Sequence, residues 1–376
     1  MKVPFNKPYV SGNELQNIRE TLQLGKFSGN NNFTKKCHSF FENKYSFKKS
    51  FLTNSCTDAL EMSALLLNIV PGDEVIMPSY TFVSTANAFV LRGAKIVFID
   101  SEENTPNMDS SKIRDQITNK TKAIVVVHYA GVACDMGAIM DIANKHNLSV
   151  VEDAAQAIDS FYNGQPLGSI GDIGTFSFHE TKNIICGEGG LITLNRDKYV
   201  NRAEILWEKG TNRSAFFRGE IDKYGWVDIG SSYLTSELNA AFLYSQLNNL
   251  ERIQKKRVDL WSKYQSGFQY LNDKSMVILP FIPKYATVNG HLYYLVCESL
   301  EQRSGLLKHL KTQGIHAVFH YQSLHLSPYF KDKHDGRNLP NCDRYSNQLV
   351  RLPMYYELEF HEQEVIIDVV NKYLSS

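Results

Sequence analysis

Apolar and polar positions along this chain fall into two kinds of run that take turns. Glu74-Val-Ile-Met77, Lys95-Ile-Val-Phe-Ile-Asp100, Ala123-Ile-Val-Val-Val-His128 and Ser149-Val-Val-Glu-Asp153 are short, apolar and rich in β-branched residues. Between the last two, Met136, Ile139, Met140 and Ala143 recur at helical spacing within Asp135 to His146. Continuous apolar strands separated by helical segments predict a parallel sheet covered on both faces. Gly174 to His179 and Gly190 to Leu194 add two strand-like runs. Near the amino terminus, Ser11-Gly-Asn-Glu14 has the capping-box arrangement. Leu15, Ile18 and Leu22 then predict an amphipathic helix ending at Gly25.

The pattern changes after about Thr235. From there to Leu271 the sequence is helix-like, and its charged stretch Glu251-Arg-Ile-Gln-Lys-Lys-Arg257 reads as a solvated helix face. His291 to Val296, a helix near Arg303 to Thr312, and Ile315 to His320 indicate a smaller α+β unit. The expected division is an α/β domain over residues 1–250 and a C-terminal α+β domain over 251–376.

Composition narrows the classes. In 376 residues, 40 Lys and Arg balance 40 Asp and Glu, so the broad basic field of a nucleic-acid or membrane-surface binder is missing. With 43% hydrophobic and 12% aromatic residues there is ample material for a core. Cys37, Cys56, Cys134, Cys186, Cys297 and Cys342 are scattered without metal-finger spacing and read as reduced. No run approaches the roughly 18 apolar residues of a membrane span, and no secretory leader opens the sequence, so a cytoplasmic location is expected.

Three motifs carry candidate chemistry. Asn54-Ser-Cys-Thr57 stands before the helix-like Asp58 to Leu67, where free backbone N–H groups suit a phosphate; an ordinary N-cap is the plainer reading taken alone. Glu152-Asp153-Ala-Ala-Gln156 sits at the carboxyl end of a strand, where open α/β sheets place their ligands. Ser177-Phe-His-Glu-Thr-Lys182 precedes the glycine-rich Gly187-Glu-Gly-Gly190, a setting in which a lysine amine can become nucleophilic. Each motif alone is ordinary. Together they are the fixtures of a pyridoxal phosphate enzyme: a phosphate anchor, an Asp for the pyridinium nitrogen, and a lysine for the aldehyde. Tyr80 or Phe82 would stack on the ring.

These motifs, with Thr53 to Leu60 and Pro71 to Thr85, resemble the DegT-type sugar-nucleotide aminotransferases, a family of fold-type I pyridoxal phosphate enzymes. The resemblance runs from about Pro4 to the carboxyl terminus. It implies that Lys182 is the Schiff-base lysine and proton shuttle, Asp153 the pyridinium partner, and Gln156 the neighbour of the ring hydroxyl. Phe82 would stack, Ser55 and Cys56 would lie on the phosphate loop, and Ser177 would add a phosphate-binding hydroxyl. Where many members have Gly-Tyr-Asn-Tyr-Arg, this chain has Gly230-Ser-Ser-Tyr-Leu234. Ser232 would then replace an asparagine that reaches the phosphate across a homodimer, and Leu234 leaves an arginine's charge unsupplied.

That variation, together with Lys209-Gly-Thr-Asn-Arg213, Phe216 to Gly219 and His128 to Cys134, is similar to the dTDP-4-amino-4,6-dideoxygalactose transaminases. The resemblance implies L-glutamate as donor, a nucleotide-linked 4-keto sugar as acceptor, and a surface polysaccharide as destination. Lys209 and Arg213 become candidate anion contacts. His320, Tyr321 and His325 become candidate sugar or diphosphate contacts, with a structural role or a metal pair as the other readings of the histidines.

Several rivals remain. A 3-keto sugar aminotransferase, or one making the C-4 epimer, differs only in how the hexose is presented. A sugar dehydratase relative would carry histidine at Lys182, a nicotinamide enzyme would need an early GxGxxG turn, and a non-catalytic regulator would not need both Lys182 and Asp153.

Overall fold

The computed structural model describes residues 2–375. The strands, in chain order, are β1 Lys49–Thr53, β2 Glu74–Pro78, β3 Lys95–Ile99, β4 Thr121–Val127 and β5 Ser149–Asp153. A two-residue-arm hairpin follows (β6 Phe161–Tyr162, β7 Gln165–Pro166), then β8 Ile173–Ser177 and β9 Gly190–Leu194. These build a seven-stranded sheet in the order β1-β9-β8-β5-β4-β2-β3. Only β9 runs against the other six.

Alternate residues of the central strands feed two separate cores, which is why these runs are apolar without a break. Val75, Met77, Ala123, Val125 and Val151 join one core with the helices Cys56–Leu66, Val83–Val90 and Asp197–Trp207. Ile76, Ile124, Val126 and Val150 join the other, with Met136, Ile139 and Ala143 of the helix Met136–His146. Helices therefore cover both faces.

A second sheet, β10 Val277–Ile278, β11 Tyr293–Cys297, β12 Val318–Phe319 and β13 Leu349–Leu352, is antiparallel throughout in the order β10-β11-β13-β12. One face, with Tyr293, Leu295, Val350 and Leu352, packs on the helices Leu250–Gly267, Leu300–Thr312 and Phe360–Leu374. The other face, with Tyr294, Val296 and Leu349, joins the core of the large sheet. The start of the chain belongs with this unit, since Val3 pairs with Ile315 and lies in its core.

The helix-like stretch from Thr235 to Leu271 consists of three helices, Glu237–Leu247, Leu250–Gly267 and Gln269–Asp273. Two expectations need correcting. In the charged run, Arg257 is buried, its guanidinium donating to the Gly290 and His291 carbonyls at 2.9 and 2.7 Å. Those bonds tie the helix to the strap before β11, so the run is solvated only in part. The first helix is Glu14–Leu24, and Glu14 reaches back to the Ser11 and Gly12 N–H groups at 2.7 and 2.8 Å from the first helical position. Its packed edge is polar: Asn17 donates to Ser245 Oγ at 2.7 Å, while Leu15 and Leu22 stay 73% and 55% exposed.

Candidate active site

The loops leaving the carboxyl ends of β1, β2, β5 and β8 converge on one pocket of about 520 Å³, within the range of small-molecule sites. After β1, Ser55 caps the helix Cys56–Leu66, its hydroxyl accepting from Asp58 N–H at 3.1 Å. The N–H groups of Cys56 and Thr57, on the first turn, have no acceptor within the helix. Ser55, Cys56 and Thr57 all line the pocket, so the motif is an N-cap whose helix start borders the pocket. Gly190 on β9 lets the sheet come this close: a Cβ there would lie 2.3 Å from the Ser55 carbonyl carbon and 2.5 Å from Cys56 N.

After β2, Phe82 lines the pocket with its ring 55% exposed, an aromatic face with room for a flat ligand. At the end of β5, strand alternation separates two neighbouring carboxylates. Glu152 turns away and accepts from Gly168, Ile170 and Gly171 N–H, with His128 Nε2 3.0 Å off, and so holds a loop. Asp153 faces the pocket, where its oxygens accept from Thr85 Oγ1 at 2.7 Å and Ala155 N–H at 3.2 Å. Burial raises its pKa; Thr85, Ala155 and the charge of Lys182 pull it back. Among the described residues no cation pairs with it. A protonated ring nitrogen would fill that role.

After β8, Ser177 and Lys182 line the same pocket. Desolvation holds the Lys182 pKa below the ordinary lysine range, with Arg351 pressing the same way and Cys56 and Asp153 pulling against it. Lys182 makes no ion pair among the described residues, so its amine is available. Burial pushes the Cys56 thiol pKa up, so the sulfur next to the phosphate loop stays neutral. An unpaired carboxylate, an available amine, an exposed aromatic face and a helix start fit pyridoxal phosphate.

Gln156 lines the pocket as well, with both ends engaged: Oε1 accepts from Ala130 N–H at 2.7 Å and Nε2 donates to Tyr321 Oη at 3.1 Å. His320 and Tyr321 reach the pocket from the second unit. His320 Nδ1 is 2.7 Å from Tyr129 Oη, and burial keeps its pKa well below the usual imidazole range.

Four expected contacts lie elsewhere in this chain. His325 is pinned outside the pocket, with Nδ1 2.8 Å from Ser79 Oγ and Nε2 3.6 Å from Asp343, so it joins the two units. Ser232, Lys209 and Arg213 fall on an outer segment beyond the end of β1, where the Ser232 carbonyl accepts from Asn54 Nδ2 at 2.9 Å. Lys209 is exposed, and the Arg213 guanidinium rests 5.0 Å over the Phe217 ring. Conversely, Phe5 and Arg351 line the pocket and were not read from the sequence. The signal for Arg351 was a cation inside the apolar run Leu349 to Leu352. Among the described residues no cluster of His, Cys, Asp and Glu is arranged to hold a metal ion.

A mostly parallel sheet that brings a lysine and an aspartate from adjacent strands into one pocket suits a pyridoxal phosphate enzyme. The chain belongs to the DegT/DnrJ/EryC1/StrS aminotransferase family, whose profile matches residues 8–371. It is 33% identical to the spore coat polysaccharide biosynthesis protein SpsC of Bacillus subtilis, over 98% of this chain and 96% of that one. Among solved structures, the aminotransferase TlmJ from Streptoalloteichus hindustanus superposes with a TM-score of 0.92 at 26% identity, covering 100% and 99% of the two chains. NtdA from Bacillus subtilis, solved with bound cofactor PMP, gives 0.89 at 27% identity over 100% of this chain and 86% of that one.

Proposed function

We propose that this chain uses pyridoxal phosphate to move an amino group from L-glutamate to a nucleotide-linked keto sugar. The specific acceptor in this reading is dTDP-4-keto-6-deoxyglucose and the product dTDP-4-amino-4,6-dideoxygalactose. The product would serve a surface polysaccharide of the enterobacterial common antigen or O-antigen type, made in the cytoplasm. The observation that carries the transamination is the placement of Lys182 and Asp153, of opposite charge and without ion-pair partners, in one pocket. The sugar and its configuration rest on the Ser231-Ser232-Tyr233-Leu234 variation, and the polysaccharide destination is supported by the name of SpsC.

Pyridoxal phosphate, when bound, takes up the donor's amino group and draws electrons from the substrate carbon. The chain's residues do the rest. Cys56 and Thr57 N–H, with the hydroxyls of Ser55 and Ser177, would hold the phosphate. Asp153, held by Thr85 and Ala155, would keep the ring nitrogen protonated. Phe82 would cover one ring face. Lys182, whose lowered pKa enlarges its neutral fraction, would carry the proton off the donor carbon and deliver it to the sugar carbon.

A homodimer belongs to this reading. Ser232, Lys209 and Arg213 would reach the partner's pocket, and the exposed Phe217, Trp226, Val227 and Ile229 beside them would be covered. Turnover with L-glutamate against dTDP- and UDP-linked 4-keto and 3-keto sugars tests the assignment, with product configuration read by NMR. Preference for a 3-keto sugar, or an epimeric product, would overturn the specific sugar. No transfer to any keto sugar would overturn the function.

A further inference from the structure

Arg351 sits in the middle of β13, opposite Tyr294 of β11 and Val318 of β12. Strand alternation sends Val350 and Leu352 into the core of the second unit, while Arg351 enters the pocket that holds Lys182. Its surroundings do not neutralise it. Among the described residues no carboxylate lies within ion-pair distance, its guanidinium makes no hydrogen bond, and its Nε–H is sealed from solvent without an acceptor. The Phe5 ring, 4.7 Å from the guanidinium carbon, covers one side. The tyrosines that act on it, Tyr129, Tyr321 and Tyr80, have pKa values raised by burial and so carry no charge to offset it.

A guanidinium stays charged, and a charge without a partner in a partly buried position costs a fold stability. Its retention points to an anionic ligand group. Three such groups are expected here: the cofactor phosphate, the acceptor's diphosphate and the donor's carboxylates. The phosphate has its own seat at the start of the helix Cys56–Leu66, across the pocket on the large sheet. In a sugar nucleotide the diphosphate is on carbon 1, so the hexose ring separates it from a keto group at carbon 4. In an α-amino acid the carboxylate is attached to the carbon that bears the reacting amine. Arg351 and Lys182 line the same pocket, and the charge of Arg351 presses the Lys182 pKa down, so the guanidinium belongs to the lysine's end of the pocket. A planar carboxylate also matches its donor fork.

We propose that Arg351 anchors a carboxylate of the amino donor and supplies the cation that Leu234 does not. This rests on the transaminase reading above. The test separates the two half-reactions in the cofactor-loaded enzyme. With L-glutamate and no acceptor, Arg351→Gln should need about 100-fold more glutamate for half-maximal conversion to the pyridoxamine form, and Arg351→Lys, which keeps charge without the fork, less. Calorimetric titration with glutarate, a dicarboxylate that cannot react, should show tight binding to the wild type and the same order of loss in the variants. The pyridoxamine-loaded variants should lose much less, under about tenfold, toward the keto sugar nucleotide.

Unchanged glutamate and glutarate dependence in Arg351→Gln would overturn the anchor. So would a loss confined to the acceptor half-reaction, which would place the diphosphate there. Should Arg351→Gln fail to fold, the lysine variant decides. A wild type that binds glutarate through Arg351 yet is not converted by glutamate would sink the proposed donor and leave the anchor standing.

Discussion

Thr85 donates its hydroxyl proton to Asp153 across 2.7 Å, so a helix beginning at Val83 fixes the carboxylate at the end of β5. Hydrogen bonds to charged groups contribute about 1.5–3 kcal/mol, and this one opposes the upward push of burial on the Asp153 pKa. Thr85→Val keeps the shape and removes the donor. The expected outcome is a tenfold or greater loss of cofactor affinity, about the size of that one bond, with the acid limb of kcat/KM moved to higher pH. An acid limb that stayed in place would exclude Asp153 as the group behind it.

Lys182→Ala should abolish turnover and the visible absorbance of the cofactor-loaded protein. Stability should move the other way. The folded-state pKa of Lys182 is depressed, so the unfolded chain binds its proton more tightly than the folded one does. The penalty is complete below the folded pKa and disappears as pH rises through 10.5, the unfolded value. Apo Lys182→Ala should therefore unfold no earlier than apo wild type at pH 7, and any advantage should vanish above pH 10.5. Denaturant melts at the two pH values check this.

At Gly190 the constraint is steric. An added methyl would overlap the Ser55 carbonyl and Cys56 N, so Gly190→Ala must displace the start of the helix or strand β9. A cost of about 1–3 kcal/mol is expected from such overpacking, seen as a lower Tm. Weaker cofactor binding should accompany it, because the displaced groups form the proposed phosphate seat. A variant with lower Tm and normal cofactor affinity would argue that the phosphate binds elsewhere.

His38 is buried and neutral, with Nε2 accepting from Leu52 N–H at 2.8 Å. Burial, helped by the charge of Lys49, depresses its pKa to about 3 from 6.5. Between those values the unfolded chain holds a proton that the folded chain refuses, so stability is full above pH 6.5 and falls as pH drops toward 3. His38→Gln can accept the same N–H without titrating. Its stability should fall less steeply between pH 6.5 and 4.5, by about 1.4 kcal/mol per pH unit, in urea melts. Parallel slopes for the two proteins would rule the histidine out as an acid-labile point.

Much of the large sheet was legible because its strands are buried on both faces and so are written as unbroken apolar runs; β2, β3, β4 and β5 appear within a residue or two of their expected limits. The antiparallel direction of β9 was not legible, since an apolar run looks the same in either direction. Neither were β13 and the helix Phe360–Leu374, which lie past the last pattern read. Of the pocket lining, Lys182, Asp153, Phe82 and Ser55 were legible because each lies at or just past the end of a strand and carries local motif chemistry. Arg351 was not, because a single cation in a strand says nothing about which side its neighbours occupy.

Sequence alone determined the strand and helix rhythm and marked the Asn54 to Thr57 motif, Lys182 and Asp153 as candidates. These depend on local backbone preferences and on residues a few positions apart. Tertiary structure decided that Asp153 and not Glu152 faces the pocket, that His325 ties two units together, and that Ser232, Lys209 and Arg213 lie outside their own chain's site. It also set an unpaired guanidinium near Lys182. Strand phase, sheet order and the facing of two separate sheets settle these matters, and they arise only when segments hundreds of residues apart bury their surfaces against each other.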